Sequence, residues 1–215
     1  MLWTASVVLI VSSFLAFDGE NFLALTASLI GVTSLLFNAK GNPVGQVIGI
    51  VFCLIYGFIS WQYAYYGEMI TYLGMTLPMS VVTLVIWLRN PFKGNRMCVQ
   101  VGRLRRSDLF WLVFLTIVIT AVFGYVLALL HTANLAPSIL SISTSTIAVY
   151  LSWRRSPWFA VGYALNDLVL IVLWSLAAVQ DPGAVSVLMC FVAFFANDLY
   201  GFRNWRRMLC QQQTA

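Results

Sequence analysis

Two Asn-Asp pairs stand inside long apolar stretches of the sequence, where ionisable side chains are rare. Asn166-Asp167 lies near the middle of one stretch, and Asn197-Asp198 lies about two-thirds of the way along the next. An Asp at the centre of a membrane helix costs about 2.5–3.5 kcal/mol on insertion scales, so each pair should face the protein interior or a water-filled path. The alternatives are hydrogen bonds between helices, worth under about 2 kcal/mol, and, for Asp198, an ion pair with a following arginine.

Aromatic rings accompany these polar groups. Tyr163, Asn166 and Asp167 are three and four residues apart, so on a helix they lie on one face. A ring and a carboxylate on one face suit a flat, cationic heteroaromatic solute, because cation–π contact adds about 0.5–2 kcal/mol and the carboxylate compensates the charge. For an isolated aromatic residue, packing or lipid contact is the alternative. The candidate substrate-binding residues are Tyr56, Tyr72, Tyr163, Asn166, Asp167 and Asn197.

The elements that carry these residues are predicted by composition. The chain has 215 residues, of which 61% are hydrophobic and 9% charged, against about 25% charged in soluble domains. This excludes a soluble enzyme, a secreted disulfide scaffold and a disordered chain. Long continuous apolar runs favour membrane helices over the short alternating strands of a β-barrel. Eight such stretches occur, at 2–17, 22–38, 44–64, 69–88, 109–131, 137–153, 158–179 and 184–202.

The first stretch has a second interpretation, a signal peptide. It has no basic residue before its apolar run and no small-residue cleavage site before Asp18, so we expect a retained helix. The four cysteines show no C-x-x-C spacing, which predicts reduced thiols and neither a metal nor a cofactor.

Charge divides the predicted loops into two sets. With eight spans, all 12 Lys and Arg residues fall on the side of the chain ends, which we call the basic face. The opposite loops form the acid face and contain no Lys or Arg: 18–21, 65–68, 131–136 and 180–183. The positive-inside rule places both termini in the cytoplasm. The net charge of +5 therefore predicts contact with anionic lipid headgroups and not with nucleic acid.

The spans also repeat. Three start near residues 22, 44 and 69, and three start near 137, 158 and 184. Each set has a basic, proline-containing hinge, Lys40 to Pro43 and Arg154 to Pro157, after its first helix. One helix lies between the sets, so they have the same orientation, as in small-solute transporters with parallel repeats. The predicted units are an extra N-terminal helix (1–21), a first repeat (22–88), a basic loop and linker helix (89–131), a second repeat (132–203) and a tail (204–215).

Other functions have less support. The sequence has one histidine and no H-E-x-x-H, G-x-S-x-G or P-loop motif, so we expect no enzyme activity. A membrane-embedded enzyme should show a nucleophile–base pair, and a helical subunit of a larger complex should lack a closed repeat and a polar midplane. The oligomeric state stays open, with a homo-oligomer as one alternative.

Several stretches resemble the PnuC family of bacterial vitamin transporters over about residues 22–207. They are Tyr65 to Tyr72 followed by Pro78 and Trp87, Asn166-Asp167, and Asn197 to Phe202 followed by Asn204-Trp205 and Arg206-Arg207. The resemblance implies a SWEET-like 3+1+3 helix arrangement with an extra N-terminal helix, in the bacterial inner membrane. It implies facilitated diffusion of nicotinamide riboside for NAD synthesis, with trapping by cytoplasmic phosphorylation. Thiamine, riboflavin or another nucleoside is the alternative substrate within the same family.

The first prediction concerns orientation. A cysteine introduced at Gly94, in the basic loop, should react with a membrane-impermeant thiol reagent only from the cytoplasmic side, because the basic face is retained there. A reporter fused to the C-terminus should be active in the cytoplasm. Labelling of Gly94→Cys from outside intact cells would reverse the assigned topology.

Overall fold

Helices cover all eight apolar stretches in a computed structural model that describes residues 1–132 and 134–214. Ala133, in the predicted loop 131–136, and Ala215, in the predicted tail, lie outside the described residues. The helices are α1 (Leu2–Phe17), α2 (Phe22–Ala39), α3 (Val44–Gln62), α4 (Tyr66–Ile70), α5 (Leu77–Arg89), α6 (Arg106–Leu129), α7 (Leu135–Trp153), α8 (Phe159–Ala178) and α9 (Ala184–Thr214). A π-helix (Thr71–Thr76) connects α4 to α5, and a hairpin of β1 (Pro91–Phe92) and β2 (Asn95–Val99) follows α5.

The predicted all-α membrane fold is confirmed. Within the described residues, seven helical spans are long and apolar enough to cross a bilayer, and α1 is a shorter apolar helix of 16 residues. One of the seven is the interrupted span Tyr66–Arg89, and another is α9, which extends 31 residues, well beyond its predicted end. Prolines precede two of the helices at the hinges, at Pro43 and Pro157, where a fixed φ and a missing N–H suit a helix start.

Six spans form a closed ring. α2 packs against α3, α3 against α5, α5 against α7, α7 against α8, α8 against α9, and α9 against α2. The first helix of each predicted set therefore packs against the last helix of the other set. This exchange is the contact pattern expected of two equivalent halves; the division into 3+1+3 stays a prediction.

Two helices lie outside this ring. α1 packs against α9 and α2, and its Ser6 hydroxyl accepts a hydrogen bond from the Asn197 side chain at 2.8 Å. α6, the predicted linker, packs mainly against α7 and leaves most of its large apolar side chains exposed. Because α6 contributes little to the ring, its outer surface is suited to lipid contact.

The loops gather at two ends of the ring. At the basic face, the Val99 amide donates to the Gly41 carbonyl and the Gly102 amide donates to the Arg155 carbonyl, each at 2.9 Å. At the acid face, Ser186 donates to Asp18 Oδ2 at 2.9 Å, which ties the start of α9 to the loop before α2. Which face lies in the cytoplasm stays a prediction.

A tryptophan at the end of a predicted membrane span is typical of the interfacial aromatic belt, but Trp205 does not lie there. Its side chain is fully buried at the basic end of the ring, and its indole N–H donates to the Asn38 carbonyl at 2.8 Å. The ring also packs against Phe159, with centroids 4.9 Å apart. Trp205 therefore fixes α9 to the end of α2, and its neighbours satisfy the polar N–H that would otherwise favour the headgroup region.

Small residues set the distance between α7 and α8. A Cβ added at Gly162 would lie 2.8 Å from the Ala148 Cα, which is backbone and has no side-chain freedom to move away. Gly124, in α6, would place a Cβ at an ordinary 3.5 Å from the Ile139 side chain. Close approach through small residues is how membrane helices maximise packing.

The second prediction follows from this contact. Gly162→Ala should destabilise the protein by about 1–3 kcal/mol, the usual range for overpacking, and lower the midpoint of thermal unfolding in detergent. Gly124→Ala is the matched control and should leave the midpoint equal or slightly higher, because Ala fits there and favours the helix more than Gly does. Equal midpoints for the two variants would show that α7 and α8 can move apart without loss of stability.

Candidate functional site

A cavity lies inside the ring, between α2, α3, the π-helix, α5, α8 and α9. It encloses about 70 Å³, whereas pockets for organic ligands of drug size are about 300–1,000 Å³. The described conformation is therefore a contracted one, and a solute of nucleoside size must displace side chains to enter.

Two carboxyl groups from different helices meet in this cavity. Asp167 of α8 and Asp198 of α9 both line it, and each side chain is about 95% buried. They are hydrogen-bonding neighbours of each other. Asp167 Oδ2 has no hydrogen-bond partner. A hydrogen bond between two carboxyl groups requires a proton on one of them, so the pair carries at most one negative charge. A cation that enters the cavity can neutralise that charge.

Asp198 is absent from the candidate residues because the sequence also allows it an ion pair with a following arginine, which weakens its interpretation as a site residue. Among the described residues, the one salt bridge joins Arg154 to Asp108 at 2.8 Å, and Asp198 takes no part in it. The signal was present in the sequence: Asp167 and Asp198 follow Asn in the same dipeptide on consecutive helices.

The neighbouring asparagines face away from the cavity. Asn166 Oδ1 accepts hydrogen bonds from three hydroxyls of α7, those of Ser141, Thr144 and Ser145, at 2.8–3.2 Å. Asn197 contacts α1 through its bond to Ser6. Tyr163 and Asp167 do line the cavity together, but Asn166 does not share their face. A step of one residue turns a helix by about 100°, which separates Asn166 from Asp167.

Aromatic rings close the cavity toward the acid face. Tyr56 stacks on Phe52 with centroids 5.4 Å apart and meets Tyr72 at 4.5 Å. The Tyr56 hydroxyl accepts a hydrogen bond from the Trp174 indole at 2.8 Å. Of these rings, Phe52 and Tyr72 line the cavity, whereas Tyr56 and Trp174 lie behind them. We call Phe52, Tyr56, Tyr72 and Trp174 the aromatic seal.

Hydrogen bonds between the predicted sets reinforce this closure. Tyr63, just after α3, donates to Asp181 Oδ2 at 2.9 Å. Burial and the Asp181 carboxylate both raise the pKa of the Tyr63 phenol above its usual range, so the hydroxyl stays protonated and remains a donor. Tyr65 donates to the Leu173 carbonyl of α8 at 3.2 Å and accepts from Asn134 at 3.3 Å. The acid end is thus closed in this conformation.

Toward the basic face the cavity wall is polar and uncharged. Gln46 of α3 donates to Asn38 Oδ1 at 2.9 Å, and Asn38 in turn donates to the Ser34 hydroxyl at 3.3 Å. All three side chains line the cavity. Sequence reasoning missed them because they flank the basic hinge, where polar residues are expected in any case. They offer donors and acceptors for hydroxyl groups of a solute.

The arrangement combines three chemistries in one enclosed space. Phe52, Tyr72 and Tyr163 supply aromatic surfaces, the Asp167–Asp198 pair supplies negative charge, and the Asn38 network supplies hydrogen bonds. Among the described residues that line the cavity, none is Lys or Arg. The site therefore suits a cationic aromatic ring attached to a polar, uncharged group.

Comparison with known proteins gives a consistent assignment. Residues 21–207 match the model of the nicotinamide mononucleotide transporter family. The nicotinamide riboside transporter PnuC of Neisseria mucosa is 24% identical over 200 residues, which cover 90% of this chain and 75% of that protein. The protein of the same name from Haemophilus influenzae is 20% identical over 198 residues, covering 88% and 81%.

The fold has a counterpart among solved structures. The crystal structure of the vitamin B3 transporter PnuC superimposes with a TM-score of 0.84 and 20% identity, over 98% of this chain and 91% of that chain. At that identity the match shows a shared fold.

Proposed function

Because the chain belongs to the nicotinamide mononucleotide transporter family, we propose that it is a uniporter that imports nicotinamide riboside across the bacterial inner membrane. It is a multi-pass membrane transporter and not an enzyme. The observation that supports the substrate most directly is the cavity, in which Asp167 and Asp198 face aromatic rings. The nicotinamide ring of the riboside carries one positive charge, and its ribose carries only hydroxyl groups.

The same cavity favours the riboside over the mononucleotide named in the family description. The mononucleotide adds a phosphate, which proteins bind with Arg, Lys or exposed backbone N–H groups. No described residue lining the cavity is Lys or Arg, and both acidic residues would repel the phosphate. Thiamine, with its thiazolium ring, shares the cationic character and is the relevant competitor; neutral riboflavin lacks the charge that Asp167 and Asp198 would compensate.

The proposed binding mode uses the residues that line the cavity. The pyridinium ring lies against Tyr72 and Tyr163 and near the Asp167–Asp198 pair, where cation–π and ionic contacts act together. The ribose hydroxyls meet Asn38 and Gln46. The remaining candidates support this site from behind: Tyr56 through the aromatic seal, Asn166 through α7 and Asn197 through α1.

Orientation and direction complete the proposal. With both termini cytoplasmic, the polar end of the cavity faces the cytoplasm, and the described conformation is closed on the outside. Uptake continues when the riboside is phosphorylated in the cytoplasm, because a phosphate excludes the product from this acidic cavity. Anionic lipids contact the basic face, and the monomer contains a complete cavity whatever its oligomeric state.

The third prediction tests the site. Asp167→Asn keeps the size of the side chain and removes its charge, so binding of nicotinamide riboside measured by calorimetry should weaken at least tenfold, about 1.4 kcal/mol. The control is Glu20→Gln, an exposed carboxylate on the acid face, which should bind normally. Unchanged affinity for Asp167→Asn would place the substrate elsewhere, and tighter competition by thiamine would change the assigned substrate.

The fourth prediction concerns energy coupling. Among the described residues, no hydrogen-bonded chain of ionisable side chains connects the two faces, as a proton relay requires. Proteoliposomes should therefore equilibrate radiolabelled nicotinamide riboside without accumulating it. Accumulation above the external concentration when a proton or sodium gradient is imposed would contradict passive transport.

A further inference from the structure

A third buried carboxyl group lies outside the cavity. The sequence predicts Glu68 in an acid-face loop, but the residue lies in α4 with 0% of its surface exposed. Neither Glu68 oxygen has a hydrogen-bond partner in the part of the chain that the structure describes. An unpaired carboxyl group in an apolar interior costs several kcal/mol, and buried polar groups are almost always satisfied. Among the described residues, no geometric hydrogen bond and no basic side chain offsets this burial.

Its position relates it to the cavity. Glu68, Tyr72, Thr76 and Ser80 follow one another at intervals of four residues along one span, and the last three line the cavity. Glu68 is thus the next side chain toward the acid face. Tyr72, whose ring packs on Tyr56 at 4.5 Å, is a neighbour of Glu68 and also lines the cavity.

The groups around Glu68 do not neutralise it. Tyr56, Tyr65 and Tyr72 are its aromatic neighbours. The Ser141 hydroxyl of α7 is nearby but donates to Asn166 Oδ1 at 3.2 Å. No Lys, Arg or His faces Glu68 among the described residues, since the one salt bridge is elsewhere. Glu68 is therefore a carboxyl group surrounded by aromatic rings, and the cavity has the same combination of acidic and aromatic groups.

The backbone that follows Glu68 is not a regular α-helix, and its irregular segment can change conformation. Its span is α-helical at Tyr66–Ile70, π-helical at Thr71–Thr76 and α-helical again from Leu77, with Pro78 in the following turn. π-helical segments occur frequently at functional sites. Conversion of such a segment to α-helix moves the register by one residue, which rotates the preceding side chains by about 100°. The interruption thus allows α4 to turn while α5 stays packed against α3 and α7.

We propose that Glu68 is the cation-binding group of a second substrate subsite, on the acid-face side of the aromatic seal, which forms when α4 moves and the acid end opens. In that conformation the pyridinium ring meets Glu68 and the rings of Tyr65 and Tyr72 before it reaches Asp167 and Asp198. This inference rests on the proposed transport of a cationic riboside. It gives a function to a carboxyl group that has no hydrogen-bond partner among the described residues.

Uptake kinetics with two substrates test the subsite in the full-length protein. Nicotinamide riboside carries a cationic ring, and its 1,4-dihydro form has nearly the same shape with an uncharged ring. For substrate added at the acid face, Glu68→Gln should raise the KM for the riboside at least tenfold and change the KM for the dihydro form less than twofold. Glu20→Gln, the exposed acid-face control, should change neither value.

Three kinetic results would overturn the subsite. An unchanged KM for the riboside would show that Glu68 does not meet the cation, and an equal rise for both substrates would show a general effect on opening. Glu68→Asp, which keeps the charge, should restore discrimination in favour of the cation. If Glu68→Asp behaves like Glu68→Gln, shape and not charge is responsible, and the proposal fails.

Thiol labelling decides the same point without transport. Glu68→Cys should react with a membrane-impermeant reagent added at the acid face, and nicotinamide riboside should slow the reaction. The unaltered protein is the control, because Cys53 and Cys190 are buried and Cys98 and Cys210 belong to the basic face. Absence of labelling contradicts an opening at Glu68. If the wild type transports neither substrate but Glu68→Cys is labelled, the opening stands and the assigned substrate is wrong.

Discussion

The central constraint on this structure is the placement of carboxyl groups in a membrane-embedded interior with no basic partner. Asp167 and Asp198 are nearly fully buried inside the helix ring, and neither takes part in the salt bridge found among the described residues. An outward-facing position would expose these carboxyl groups to lipid hydrocarbon, at a higher cost in free energy. The ring must therefore close around them, and small residues such as Gly162, which packs directly on Ala148, bring the helices near enough to do so.

The helix spans could be predicted from sequence because each satisfies a strong local requirement. Every backbone polar group in a bilayer must be bonded within its own helix, so long apolar runs have one outcome, and predicted and observed limits agree closely for α2, α7 and α8. The observed end of α9 lies beyond the predicted one because the local requirement no longer applies outside the bilayer. Beyond Phe202 the helix continues into a charged, water-facing segment, where hydropathy gives no signal.

The site could be predicted only in part, because side-chain direction depends on tertiary contacts. Spacing placed Tyr163 and Asp167 correctly on one face, but it could not show that three α7 hydroxyls would hold Asn166 on another. Hydropathy assigned Glu68 to a loop because an ionisable residue beside Gly67 is typical of one. The structure buries it because Gly67 lets α4 approach Ser138 of α7 closely, a contact between residues about seventy positions apart.

The two halves of the ring make equivalent helix contacts, but their helices are not equally regular, and this difference indicates where movement occurs. α2 packs on α9, and α7 packs on α5. At both junctions, the first helix of one predicted set contacts the last helix of the other. Only the span Tyr66–Arg89 contains a π-helix among the described residues. A cavity of about 70 Å³ cannot accept a nucleoside until rings of the aromatic seal move, and Tyr72 is both a member of that seal and part of the π-helix. In the proposed mechanism, binding and opening act on the same segment, and this couples the arrival of a cationic ring to the change in access that passive transport requires.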